Sequence, residues 1–186
     1  MFIQTEATPN PATLKFIPGK PVLPGATRDY RSSGEAGESP LASKLFGIKG
    51  VSGVFLGHDF VTVTRRDVEW QQLKPAVLGA IMDHYLAGAP VLAGAATANT
   101  AADEEFFDED AGETVKTIKD LLDSRVRPAV AQDGGDITFK GFKDGVVYLN
   151  MKGSCAGCPS STATLKHGIE NLLRHFVPTV QEVRQI

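Results

Sequence analysis

Gly153-Ser154-Cys155-Ala156-Gly157-Cys158-Pro159-Ser160-Ser161-Thr162 holds both cysteines of this 186-residue chain, with two residues between them, where their sulfurs can reach one centre. Thiolates are soft ligands suited to zinc, copper(I) and iron–sulfur clusters, and the flanking glycines predict an open approach in which burial of the sulfurs is not expected. A tetrahedral zinc or a cuboidal cluster normally takes four protein ligands, and one chain offers two sulfurs. Histidine does not fill the gap. His167 lies roughly 12 Å along the predicted helix at about 1.5 Å per residue, His175 lies further on, and His58 and His84 fall in another predicted domain. Two copies meeting through Cys155 and Cys158 would supply four thiolates, so the metal is expected between two subunits.

Working outward, Pro159 suits the first position of a helix whose apolar stripe runs Leu165, Ile169, Leu172, Leu173 and Phe176. A helix N-terminus at the cysteines, with Lys152 nearby, predicts lowered thiol pKa values. Ser160, Ser161 and Thr162 are placed to cap its first turn. Thr179–Val183 can add an edge strand.

On the other side of the cysteines, Val146–Met151 and Ile137–Phe142 read as a hairpin turned by Lys143-Asp144-Gly145. Asp133-Gly134-Gly135-Asp136 reads as a tight turn whose glycines supply backbone freedom, not as a metal site. Before it, Val115, Ile118, Leu121, Leu122 and Val126 recur with helical spacing, and Pro128 is expected to kink or end that helix. The segment 113–186 is thus expected to run helix, strand, strand, metal loop, helix, strand.

From Gly88 to Gly112 small residues give way to Asp103, Glu104, Glu105, Asp108, Glu109 and Asp110. The expectation is a flexible acidic linker, with Phe106-Phe107 as a less favoured docking motif inside it. Removing these six charges from the net −3 leaves +3 on the rest of the chain, with no basic stripe dense enough for nucleic acid.

Residues 1–87 read as a small α+β domain with strands Phe2–Glu6 and Thr13–Ile17 around Thr8-Pro9-Asn10-Pro11, and a turn-rich passage from Pro18 to Ser39. A short helix Pro40–Phe46 capped by Ser39, a hairpin Val51–Gly57/Phe60–Thr64 and a helix Glu69–Leu86 follow. The alternation in Phe60–Thr64 predicts one buried and one wet face. Trp70, His58 and His84 read as packing or surface residues, and nothing there has catalytic spacing.

At 42% hydrophobic and 22% charged, composition is that of an ordinary soluble α+β protein of two small domains, 1–87 and 113–186. No apolar run approaches the roughly 20 residues that cross a bilayer. The opening Met1–Glu6 has no secretory or transit pattern, so a bacterial cytoplasm is expected, with the mitochondrial matrix as the alternative for a processed form. Two cysteines make no disulfide framework.

The cysteine stretch, preceded by Arg127-Pro128-Ala129-Val130 and Asp133-Gly134-Gly135-Asp136-Ile137, resembles the C-terminal domain of NifU-like (Nfu-type) iron–sulfur proteins. The half from Phe2 to the Leu73 helix resembles the domain that precedes it in one branch of the family. The resemblance implies that Cys155 and Cys158 bind a [4Fe-4S] cluster bridging two subunits and that the protein is not an enzyme. It further implies a scaffold or carrier between upstream cluster-assembly proteins and apo iron–sulfur proteins, a homodimer when loaded and possibly a monomer when empty. Three other readings stand beside it: a thiol–disulfide oxidoreductase attacking through Cys155 and resolving through Cys158, a structural zinc dimer, and a binding module in which the cysteines only pack.

Overall fold

A computed structural model of the chain describes residues 1–94, 105–156 and 159–186. The chain divides into two compact units, Met1–Ala98 and Asn99–Ile186. The expected two α+β folds are present. Among the described residues no helix is long and apolar enough to cross a membrane.

In the first unit, Thr8 and Asn10 close the turn between β1 (Gln4–Ala7) and β2 (Thr13–Ile17) by bonding the backbone at Asn10, Ala12 and Thr13. With β3 (Arg28–Tyr30), β4 (Val51–Leu56) and β5 (Val61–Arg65) they build an antiparallel sheet in the order β1-β2-β5-β4-β3. The short β3 lies inside the passage expected to be only turns. Its Arg-Asp-Tyr sequence carries no apolar alternation, and β4 supplies its ladder. Phe16, Val54, Leu56, Val61 and Val63 point to one face and pack with Leu41 and Leu45 of α1 (Pro40–Phe46) and Leu73, Val77 and Ile81 of α2 (Trp70–Leu86).

Ser39 caps α1 as expected, its Oγ accepting from the Ala42 amide at 3.1 Å, and it also donates to the Val91 carbonyl at 2.6 Å. That bond, with Ala93 N donating to Glu38 O at 2.7 Å, ties the first residues of the expected linker to this unit. The opposite sheet face is not the wet one that alternation predicts. Phe55, Thr62 and Lys15 are buried on it beside Phe60, whose ring takes the Lys15 ammonium 4.8 Å from its centroid.

In the second unit the sheet order is β6-β7-β8-β9, built from Phe106–Phe107, Gly135–Lys143, Val146–Gly153 and Glu182–Gln185. Phe106-Phe107 is therefore not solvated linker. It pairs parallel to Gly141 and Phe142, and the Phe106 ring lies across Gly141 and 5.0 Å from Tyr148. Lys119 pairs with Glu105 beside it. Residues 95–104 of the expected linker lie outside the described residues. The β7–β8 hairpin turns at Asp144 and Gly145, both with positive φ, which is the type I′ geometry that two-residue hairpins favour.

Pro128 neither ends the preceding helix nor leaves it regular. Helical backbone runs through α3 (Gly112–Leu121), one π-helical turn (Leu122–Val126) and α4 (Arg127–Gln132). Pro128 has no N–H to give to the carbonyl four residues back, and the wider turn just before it absorbs that loss. The same turn keeps the stripe Ile118, Leu122, Val126 and Val130 on the core, where three successive steps of four in a uniform α-helix would drift it by about 120°. Ile169 and Leu173 of α5 (Pro159–Phe176) close the core against Ile137, Leu149, Met151 and Val183. Phe176 departs from the expected stripe. It is exposed and lies under the Arg125 guanidinium, 5.0 Å from the ring centroid.

Candidate metal centre

Strand β8 ends at Gly153, and the chain turns through Ser154 and Cys155 before α5 begins at Pro159. Cys158, and Gly157 before it, lie outside the described residues. Cys155 is not exposed as its glycine-rich surroundings predict. It is 5% accessible and forms part of the second core. Burial pushes its thiol up to about 11. The Ser154 hydroxyl works against that shift and the Asp133 and Asp136 carboxylates add to it. At Cys155 desolvation thus outweighs the lowering expected from the helix terminus.

The Asp133–Asp136 segment proves to be the other wall of this loop. The Ser154 amide donates to the Gly134 carbonyl at 3.2 Å, and the Ser154 hydroxyl donates to the Asp133 carbonyl. Gly134 takes positive φ, as the turn reading expects, but Gly135 does not. Gly135 is required for space instead: a Cβ there would stand 2.6 Å from the Lys152 carbonyl and 2.8 Å from Cys155 Sγ. Neither aspartate gathers with other ligands. Asp136 is buried and accepts from Arg127 Nε at 2.9 Å and Nη2 at 3.0 Å, a bidentate pair, while Arg127 Nη1 donates to Asp123 at 3.2 Å. In the sequence Arg127 stands out only as the first residue of Arg127-Pro128-Ala129-Val130. No local signal pairs residues 127 and 136, because the contact exists only once α4 folds back along β7.

At the start of α5, the Thr162 hydroxyl donates to the Cys155 carbonyl at 3.0 Å, so this residue braces the loop backbone, not a sulfur. His167 and His175 are exposed on α5, His58 is exposed at its turn and His84 is buried in the first unit. Among the described residues no group of three or more His, Cys, Asp or Glu side chains could hold a metal ion. Of the two cysteines, Cys155 is the one described, with Cys158 three residues on.

Comparison with known proteins places both units. A family model described as "Scaffold protein Nfu/NifU N terminal" matches residues 3–88, and one described as "NifU-like domain" matches residues 118–184. The chain is 50% identical over 188 residues to the mitochondrial "NFU1 iron-sulfur cluster scaffold homolog" of Homo sapiens, covering all of this chain and 72% of that protein. It is also 50% identical over 188 residues to "NifU-like protein 4, mitochondrial" of Arabidopsis thaliana, covering all of this chain and 66% of that one. The chain spans about two thirds of the length of such relatives. A solution structure of a NifU-like protein from Saccharomyces cerevisiae is similar with a TM-score of 0.45 and 27% identity, covering 50% of this chain and 84% of that one. With both halves matched in the order the resemblance implies, the chain belongs to the Nfu/NifU-like family.

Proposed function

We propose that this protein is a non-enzymatic iron–sulfur cluster scaffold or carrier. Its cargo is a [4Fe-4S] cluster held by Cys155 and Cys158 of two subunits and passed to apo iron–sulfur proteins. The observation that carries the reading is the half-filled coordination sphere: two sulfurs in the chain, and no three-ligand group among the described residues. A second copy is the simplest source of the missing thiolates. The relatives' printed role as cluster scaffolds supports the identity of the cargo.

Burial of Cys155 sets the terms of loading. The Cys155 thiol is packed as a small hydrophobe, so loading requires the loop to turn its sulfur outward, and metal binding then drives deprotonation. The same burial favours the rival in which the cysteines only pack. Anaerobic reconstitution separates the two. The wild-type chain should take up about four iron and four sulfide per two chains, turn brown and double in mass, while Cys155→Ser and Cys158→Ser should not. Equal uptake by the serine variants, or colourless zinc in place of iron, would remove the carrier reading. So would a loaded single-chain particle that keeps its iron without any outside thiol.

The division of labour follows the two units. Residues 113–186 hold the cluster and residues 1–87 recognise donors or recipients. For the compartment, the relatives named as mitochondrial agree with the matrix alternative and lend nothing to a bacterial cytoplasm.

A further inference from the structure

We infer that Arg127 and Asp136 form a latch that positions Cys155, and that its strength governs how readily the cysteine loop opens. The consequence for cluster uptake and release rests on the function proposed above; the latch itself does not.

Among the described residues Arg127 has its hydrogen bonds to Asp136 and Asp123 and none to the cysteine loop, so it is a positioning residue. Its fork closes on both oxygens of Asp136, a carboxylate whose side chain is 6% exposed, and a third N–H holds Asp123 one helical turn back. A carboxylate so buried is costly to leave without its cation, which makes this contact two-state in character: closed, or opened together with the backbone that carries Asp136. That backbone meets the cysteine loop at every residue from Asp133 to Gly135. Asp133 accepts from the Ser154 hydroxyl, Gly134 accepts from the Ser154 amide, and Gly135 leaves the room that Cys155 Sγ fills. The next rung of the hairpin, Asp136 with Lys152, and the last, Gly135 with Gly153, lie between the latch and the loop. A shift at Asp136 is therefore passed on within three residues to the atoms that hold Cys155 in the core. The π-helical turn Leu122–Val126 sits immediately before Arg127, setting the helix phase from which the guanidinium reaches β7.

A plain structural ion pair would stabilise the whole unit, whereas a latch acts on one loop. Amide hydrogen exchange of the full metal-free chain tells them apart. In Asp136→Asn and Arg127→Gln, amides from Gly153 to Ala156 should exchange about tenfold faster while those of Val147 and Leu149 stay within about twofold of wild type. Arg127→Lys, whose ammonium cannot span both oxygens, should fall between. After anaerobic loading, the same variants should release iron to a chelator about tenfold faster than wild type. Loop protection within about twofold of wild type in the isosteric Asp136→Asn, or a loss spread evenly over β7 and β8, overturns the latch. A wild-type chain that takes up no cluster removes the carrier reading alone and leaves the exchange result standing.

Discussion

The two units use similar materials for opposite ends. In the first, polar groups inside the fold are consumed by closing it: Ser39 caps α1 and holds Val91, Thr13 pairs with Thr64 at 3.0 Å, and Lys15 joins Glu6. In the second, Ser154 and the Arg127–Asp136 pair converge on the one loop that carries sulfur. The contrast teaches that buried polarity marks a site only where its partners converge on a group with chemistry of its own. Buried Ser39 alone would be as conspicuous as buried Ser154.

Four substitutions or conditions press on that contrast, the strongest first. Phe16→Ala, in the fully buried centre of the first sheet, should destabilise that unit by about 3–5 kcal/mol in urea titration. Iron uptake by the second unit should be unchanged, and lost uptake would mean that the units do not act separately. Gly135→Ala forces a Cβ against Cys155 and the Lys152 carbonyl and should cost about 1–3 kcal/mol. Here reconstitution yield should fall out of proportion to stability; a normal yield would deny that this wall shapes the site. Ser39→Ala removes a cap and strands the Val91 carbonyl, at about 0.5–2 kcal/mol, with no effect on iron binding.

The smallest effect concerns His84, which is 2% exposed and whose Nε2 has no hydrogen-bond partner among the described residues. Burial, with Lys44 adding, holds it below its ordinary value of 6.5. The unfolded chain then binds a proton that the folded one refuses. The contribution is complete above 6.5 and is lost as pH falls from there through the lower folded value. Urea midpoints of the first unit at about pH 7.5 and about pH 5.5 should differ in wild type and converge in His84→Leu.

What could be read from the residues alone was whatever depends on near neighbours. Ser39-Pro40 announces a capped helix and Asp144-Gly145 a tight hairpin, and both stand. The spacing of Cys155 and Cys158 needed only counting. What escaped depends on partners far along the chain. Strand β3 exists because β4 offers a ladder, and Phe106-Phe107 joins a sheet because Gly141 leaves its ring a place to lie. Pro128 is tolerated because a π-helical turn precedes it. Cys155 looked open because its neighbours are small, yet small neighbours are also what lets a sulfur be packed against Gly135. Asp136 looked like a turn residue because its arginine lies nine positions back on another element.

The hairpin carries one more consequence, for the order of events as the chain folds. In a hairpin that zips from Asp144-Gly145, the rung joining Gly135 to Gly153 closes last, and only then can Ser154 reach across 21 positions to Asp133. A newly made chain would then leave the Cys155 thiol uncovered until that rung shuts, and a thiol reagent supplied early in refolding should alkylate Cys155 faster than one supplied after it.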